Sequence, residues 1–286
     1  MMSSVLGACR RNRFLVSGVC GATLMWAGLP AAQADDFSLI QQKAQVSLGV
    51  FTNASEVNIR VDAEGEEGTK FDWGRTVGDE GDVTRFRLDG VWRINPRHHV
   101  RMMYTDYSSD QSRTIDRDIV WQGDTFPANA TVRSHLGFQI IEAAYEYGFI
   151  NSDKYELAAS AGLHMAKFNA SLKATVDLGG GGGTVEIGGP AKVDAPLPVV
   201  GVRGMWRMGG NFYLDAQAQY FALSFDDFDG SIVNYRAAVI WQPSQWVGIG
   251  AGFDSFGIDV DVEKERLTGS LDWEYSGPQV FFNVSF

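Results

Sequence analysis

Cysteine is nearly absent from this chain: Cys9 and Cys20 are the only two in 286 residues, and both lie near the amino end. If that end is removed, disulfide bracing and thiol catalysis are excluded for everything that follows. Basic residues are also scarce, with 24 Lys and Arg against 35 Asp and Glu. The acidic excess argues against nucleic acid or anionic phospholipid as a partner. Histidine appears four times, as His98, His99, His135 and His164. Outside the amino end there is no apolar run of the ~20 residues a membrane helix needs. A chain built this way can cross a membrane only as a closed barrel, because lipid cannot satisfy an open sheet edge.

The amino end reads as an export signal. Arg10, Arg11 and Arg13 precede an apolar stretch from Phe14 to Pro30, and Ala32-Gln33-Ala34 forms a small-x-small cleavage site before Asp35-Asp36. The expectation is a cleaved signal peptide over residues 1–34 and a mature domain over 35–286. Removing the three signal arginines takes the formal charge of the remaining chain from −11 to −14. Arg10-Arg11 also hints at twin-arginine export, but a barrel must cross the inner membrane unfolded, which favours the Sec route.

The carboxyl end alternates. Val280, Phe282, Val284 and Phe286 share one parity, and Gln279, Phe281, Asn283 and Ser285 share the other. That is the period of a strand with one apolar face. Short turn signals recur at Asn95-Pro96-Arg97, Asn151-Ser152-Asp153, Gly209-Gly210-Asn211 and Pro243-Ser244-Gln245. Longer polar connections lie between them, roughly at 62–82, 110–131, 177–197, 226–230 and 262–270. Short and long alternate strictly, as in a membrane barrel with tight periplasmic turns and long external loops. The expected fold is all-β: a closed antiparallel transmembrane barrel of about ten strands, with eight or twelve as alternatives. The strands are expected at 44–61, 83–94, 98–109, 132–149, 155–176, 198–208, 212–225, 231–242, 246–261 and 273–286.

Aromatics cluster by turn type. Trp92, Tyr147, Phe149, Tyr155, Trp206, Phe212, Trp241, Trp246 and Phe286 flank the short turns or the carboxyl end, predicting an interfacial girdle. Tyr104, Phe138, Tyr220, Phe253 and Tyr275 form a less regular second set nearer the long loops. Two strands change apolar parity, which predicts β-bulges near Ala166-Lys167 and Asp254-Ser255.

The mature chain resembles the small outer-membrane β-barrel proteins of Gram-negative bacteria. The residues that carry this are Gln279–Phe286, the signal peptide and the turn alternation. Arg113–Pro127 (RTIDRDIVWQGDTFP), Phe225–Gly230 and Leu271-Asp272-Trp273 resemble a group of uncharacterised proteobacterial barrels. The resemblance implies a fold, an outer-membrane location with both termini periplasmic, and an assembly signal at Val280, Phe282, Val284 and Phe286. It implies lipid, lipopolysaccharide and the barrel-assembly machinery as partners. It supplies no catalytic residues and no cofactor.

Parity assigns a lumen charge network: Arg85, Arg87, Asp89, Arg93, Arg101, Glu142, Glu146, Glu156, His164, Arg203, Arg207, Asp215 and Arg236. Buried charges must be paired or hydrated. The network therefore reads as a plug, or as the walls of a narrow pore. OmpA-type barrels resemble the first reading. OmpW-type barrels, thought to pass small hydrophobic molecules, resemble the second. The leading expectation is a non-enzymatic membrane protein with a structural or surface-interaction role and mobile external loops. The alternatives are a narrow channel for a small solute of unknown identity and, more distantly, a hydrolase at the rim. His98 and His99 read as a solvated turn. His135 beside Ser134 lacks a second His or paired carboxylates. Asp226, Asp227 and Asp229 form an acidic loop that is a weak metal candidate. The five-glycine run 179–183 lacks the Lys-Ser/Thr of a phosphate-binding loop and reads as a flexible connection.

Overall fold

The computed structural model describes residues 37–286 apart from 64–65, 79–82, 178–183, 226–227 and 265–266. The expected signal peptide, the five-glycine run, Asp226 and Asp227 lie outside the described residues. Ten long strands form the wall: β1 (Ala44–Val61), β3 (Val83–Asn95), β4 (His98–Thr114), β7 (Thr131–Asn151), β8 (Tyr155–Asp177), β9 (Thr184–Gly209), β10 (Phe212–Phe225), β11 (Phe228–Trp241), β12 (Val247–Lys264) and β13 (Leu267–Ser285). Three short strands and one helical turn belong to the connections: β2 (Phe71–Asp72), α1 (Trp73–Thr76), β5 (Ile119–Trp121) and β6 (Asp124–Phe126). Every wall strand is antiparallel to its neighbours, and β13 pairs with β1 to close the barrel. At the closure Ala44 N donates to Phe286 O at 2.8 Å and Phe286 N donates to Ala44 O at 3.0 Å. No described helix is long and apolar enough to cross a membrane.

The short turns form where the sequence places them. At Gly209-Gly210-Asn211 all three residues have positive φ, at 111°, 57° and 69°. Glycine adopts this conformation freely and Asn is one of the side chains that tolerates it.

The outer face carries an apolar band next to the short turns. Its residues include Leu48, Leu88, Met102, Ile141, Leu157, Val202, Val239, Ile249 and Phe282, all exposed. The nine girdle aromatics are all exposed on this side as well. On β13 the outward row runs Pro278, Val280, Phe282, Val284, Phe286, and above it stand Ser276 and Glu274. That length matches the ~9–11 residues a tilted strand needs to cross a bilayer.

Beyond the band the faces exchange character. On β12 the odd residues Val247, Ile249 and Phe253 point out, and the even residues Phe256, Ile258 and Val260 are buried inside. On β8 Leu163 is exposed, whereas Ala166, Ala170, Leu172 and Ala174 are buried. Registers through both regions run unbroken, so the bulges expected at Ala166-Lys167 and Asp254-Ser255 are absent. The parity change records a change of surroundings. Where the wall leaves lipid its outer face turns polar, and the interior becomes the apolar core. Register shifts occur instead at Arg93/Asn95, Gly148/Ile150 and Phe212/Tyr213, all beside short turns.

Two long connections close the end opposite the short turns. The stretch expected as a loop over 110–131 continues β4 to Thr114 and then makes the β5–β6 hairpin. Its two-residue turn, Gln122-Gly123, has φ of 53° and 83°, the geometry of a tight hairpin. The Trp121 ring packs tilted against Phe71 and edge-on against Trp73 from the preceding connection, and its Nε1 donates to Gly189 O at 3.0 Å. Phe71, Trp73, Val77, Ile119, Trp121 and Phe126 are all buried. The described parts of these two connections, expected as mobile loops, are packed against each other through these side chains. The connection expected at 177–197 is also largely strand, because β9 begins at Thr184.

Candidate functional site

The lumen holds three layers. Next to the short turns, the 3-10 turn Leu39–Gln41 enters the barrel, and Leu39 and Ile40 pack on Met205, Tyr213, Ile240 and Phe281. Gly250 makes room for Phe281: a Cβ there would stand 2.2 Å from the ring. Leu39 N donates to Tyr213 Oη at 3.1 Å, which anchors the turn.

The middle layer is the charge network. Arg101 donates to Glu142 at 2.6 Å and to Glu146 at 2.7 Å. Glu142 also accepts from Gln219 at 2.7 Å and lies 3.1 Å from His164 Nε2. Arg203 meets Asp215 at 2.9 Å and lies 3.7 Å from both Glu146 and Glu156. Arg236 reaches Asp215 at 3.4 Å, and Arg93 reaches Glu156 at 3.3 Å. Arg87 is held by Asp89 at 2.9 Å and by Asp254 at 2.8 Å. Several bonds join strands that are not neighbours, such as Arg93 to Glu156 from β3 to β8 and Gln219 to Glu142 from β10 to β7. The network therefore crosses the lumen and does not merely line it. Beside it a polar cavity of about 20 Å³ is bordered by Asp89, Arg101, Arg203, Asp215 and Arg236. That is room for about one water molecule.

The third layer is aromatic. Phe51, Tyr107, Phe138, Phe256, Trp273 and Tyr275 pack across the lumen above the charges. Arg85 lies among five of these rings, 4.3 Å from the Phe138 centroid and 4.7 Å from Tyr107. Its Nε and Nη1 have no hydrogen-bond partner, and Nη2 donates to Ser55 Oγ at 3.3 Å. Arg85 thus stands apart from the carboxylates, held by ring faces. Of the second aromatic set expected nearer the long loops, Phe138 and Tyr275 face inward, whereas Tyr220 and Phe253 are exposed outside.

The structure brings most parity-assigned charges together, with two exceptions. Arg85 belongs to the aromatic layer. Arg207 is half-exposed beside a short turn and makes no ion pair among the described residues. Two members were missed. Asp254 is 1 % exposed and pairs with Arg87, although its position had been given to a bulge. Uninterrupted alternation from Phe253 would have placed it inside. His99 is fully buried near Glu146 and Glu156, not in a solvated turn. Its parity, shared with Arg101, carried that signal.

At the rim, His135 Nδ1 lies 2.8 Å from Asp110 Oδ1 on the outer face, with Ser171 opposite in register. Ser134 faces inward and donates to Val77 O. Asp229 is exposed, and the described residues contain no cluster of three metal-ligating side chains.

No protein-family model matches the chain, and no curated protein matches it in sequence. Solved structures do match. The outer membrane protease OmpT of Escherichia coli aligns over 87 % of this chain and 98 % of its own, with 11 % identity and a TM-score of 0.52. The Pseudomonas putida toluene transporter TodX aligns over 85 % and 90 %, with 9 % identity and a TM-score of 0.37. The attachment invasion locus protein Ail of Yersinia pestis covers 84 % and 99 %, with 9 % identity and a TM-score of 0.32. The likeness to OmpT is one of fold: this chain is a closed ten-stranded antiparallel β-barrel of the kind seen in that outer-membrane protein.

Proposed function

We propose that this chain is a closed, non-conducting integral protein of the outer membrane, acting as a structural and surface-interaction scaffold. The observation that carries the reading is the charge network between two apolar layers. A hydrated ion would have to displace Arg101, Glu142, Arg203 and Asp215 from one another, and breaking a buried pair costs about 3–5 kcal/mol. It would then meet the aromatic layer on one side and Leu39 and Ile40 on the other. Ten strands also fall well short of the 16–18 that leave a wide aqueous channel.

In this reading a Sec-type signal exports the chain, the short turns face the periplasm, and the capped end faces lipopolysaccharide and the outside. The protein is not an enzyme. Asp110 and His135 sit on the outer wall, and none of the cavities described here adjoins them. Liposome swelling tests the scaffold. Vesicles carrying folded protein should exclude small sugars and amino acids as protein-free vesicles do. Solute-dependent swelling would overturn the reading in favour of a narrow channel.

A further inference from the structure

Above the aromatic layer an apolar cavity of about 70 Å³, partly open at its mouth, lies between β1, β7, β8, β9, β12 and β13. Ile59 and Val260 border it on one side, and Leu136, Phe168, Ala191 and Ala195 on the other. Its lining offers almost no polar atom. The one charged residue at its border, Arg60, is bound to Asp62 at 3.2 Å and to Glu67 at 2.8 Å. Space of this size would hold water if polar groups were present to bind it, whereas a purely apolar cavity stays dry or takes an apolar guest.

The wall beside the cavity is split. β9 pairs with β8 from Thr184 to Trp206. It pairs with β10 only from Val200 to Gly209. The stretch 184–199, which contributes Ala191 and Ala195 to the cavity, therefore has no strand partner on its other edge. The β5–β6 hairpin meets its start, where Gly188 N donates to Asp124 Oδ2 at 2.8 Å and Gln122 Nε2 to Pro190 O at 3.2 Å, and 191–199 carry no such bond among the described contacts. Pro190, Pro196 and Pro198 all fall on this stretch at even positions. Residues of one parity direct their N–H groups to the same side of a strand, so three missing donors mark that side as unpaired. The upper part of β10, Phe221–Phe225, pairs only with β11. The two strands diverge above Val200 and Tyr220, beyond the outward apolar band.

We propose that this cavity is a binding site for a small uncharged hydrocarbon-like molecule, a single ring or a short alkyl chain, admitted through the split between β9 and β10. Charged ligands are excluded by the lining, since no unpaired ionic group borders it. Phe168 lines the cavity and meets Trp273 of the aromatic layer edge-on at 5.7 Å, and no residue of the charge network borders the cavity. The site does not depend on whether the barrel conducts.

The test compares the folded barrel with a cavity-filled variant, both in lipid nanodiscs, with cyclohexane as the probe. Ala170 is 3 % exposed and borders the cavity, so Ala170→Leu should fill it; Ala195→Val is the smaller replacement if Ala170→Leu does not fold. Cyclohexane acts on the lipid equally in both samples, so the difference reports the cavity. A bound guest stabilises the folded state by mass action. The unfolding midpoint of the unmodified chain should rise by about 2–4 °C relative to the filled variant at saturation. Crystals pressurised with xenon should show a xenon peak beside Phe168. Equal cyclohexane responses, or no xenon in the cavity, would overturn the proposal and leave a packing defect.

Discussion

Arg87 Nη1 and Asp254 Oδ2 lie 2.8 Å apart, although β1 and β13 separate their strands in the wall. The bond ties β3 to β12 across the seam where the barrel closes. Removing Arg87 strands Asp254 in the interior, so Arg87→Met should lower folding stability by about 3 kcal/mol, whereas Asp254→Ala leaves Arg87 on Asp89 and should cost less. Arg85, two residues away, offers a contrast. It has no carboxylate to abandon, and its loss of ring contacts is offset by relief of an unpaired buried cation. Arg85→Met should change stability by less than about 1 kcal/mol. Guanidinium unfolding in lipid vesicles checks both, and equal costs at Arg85 and Arg87 would show that ion pairing is not what distinguishes them.

Glu142 is the hub of the network, touching Arg101, Gln219 and His164. Glu142→Gln keeps an acceptor for Arg101 and Gln219, whereas Glu142→Leu removes every partner. The second change should cost about 1–3 kcal/mol more than the first. The same unfolding measurement separates them.

Gly250 and Phe281 give a packing prediction. Gly250→Val places a branched side chain where the Phe281 ring stands, and should destabilise the barrel by about 1–3 kcal/mol. Phe281→Ala costs stability alone, but in combination it should recover part of the Gly250→Val loss. Additive losses in the double variant would mean that the two sites are independent.

The outer wall above the apolar band carries like charges directly opposed: Asp259 faces Asp272, and Glu56 faces Glu274. Desolvation and then Asp272 and Asp261 push the Asp259 carboxyl up, with Lys70 offsetting part of the effect. Desolvation and then Asp272 and Glu56 do the same at Glu274. A carboxyl raised in the folded state holds its proton more tightly there than in the unfolded chain. Stability at these groups is therefore highest below the usual carboxylate range and falls as pH rises through it. Asp272→Asn should raise the unfolding midpoint at pH 7, and the gain should fade as pH falls toward about 4. A gain that does not change with pH would refute the electrostatic origin.

Much of the barrel was legible because lipid and turns leave plain marks. The ten strands, the short turns and the girdle from Trp92 to Phe286 follow from period-2 alternation and turn residues. What alternation does not carry is the medium on each side. At Phe253 to Phe256 and at Met165 to Phe168 the apolar parity switched because the wall left lipid, and a bulge was the wrong explanation. Asp254 was lost with it. The Pro and Gly of 184–199 read as loop because their strand has one edge without a strand partner, where proline is tolerated. The caps formed by Trp73 and Trp121 depend on contacts between distant connections, which spacing does not encode.

Closure of the lumen is the central claim, and single-channel recording tests it most directly. Residues 35–286, refolded and inserted into a planar bilayer, should give no discrete conductance steps while the heat-modifiable shift of folded barrel is present. Reproducible steps from that same folded protein would contradict the account and would point to Arg87, Arg101, Glu142 and Arg203 as pore-lining groups.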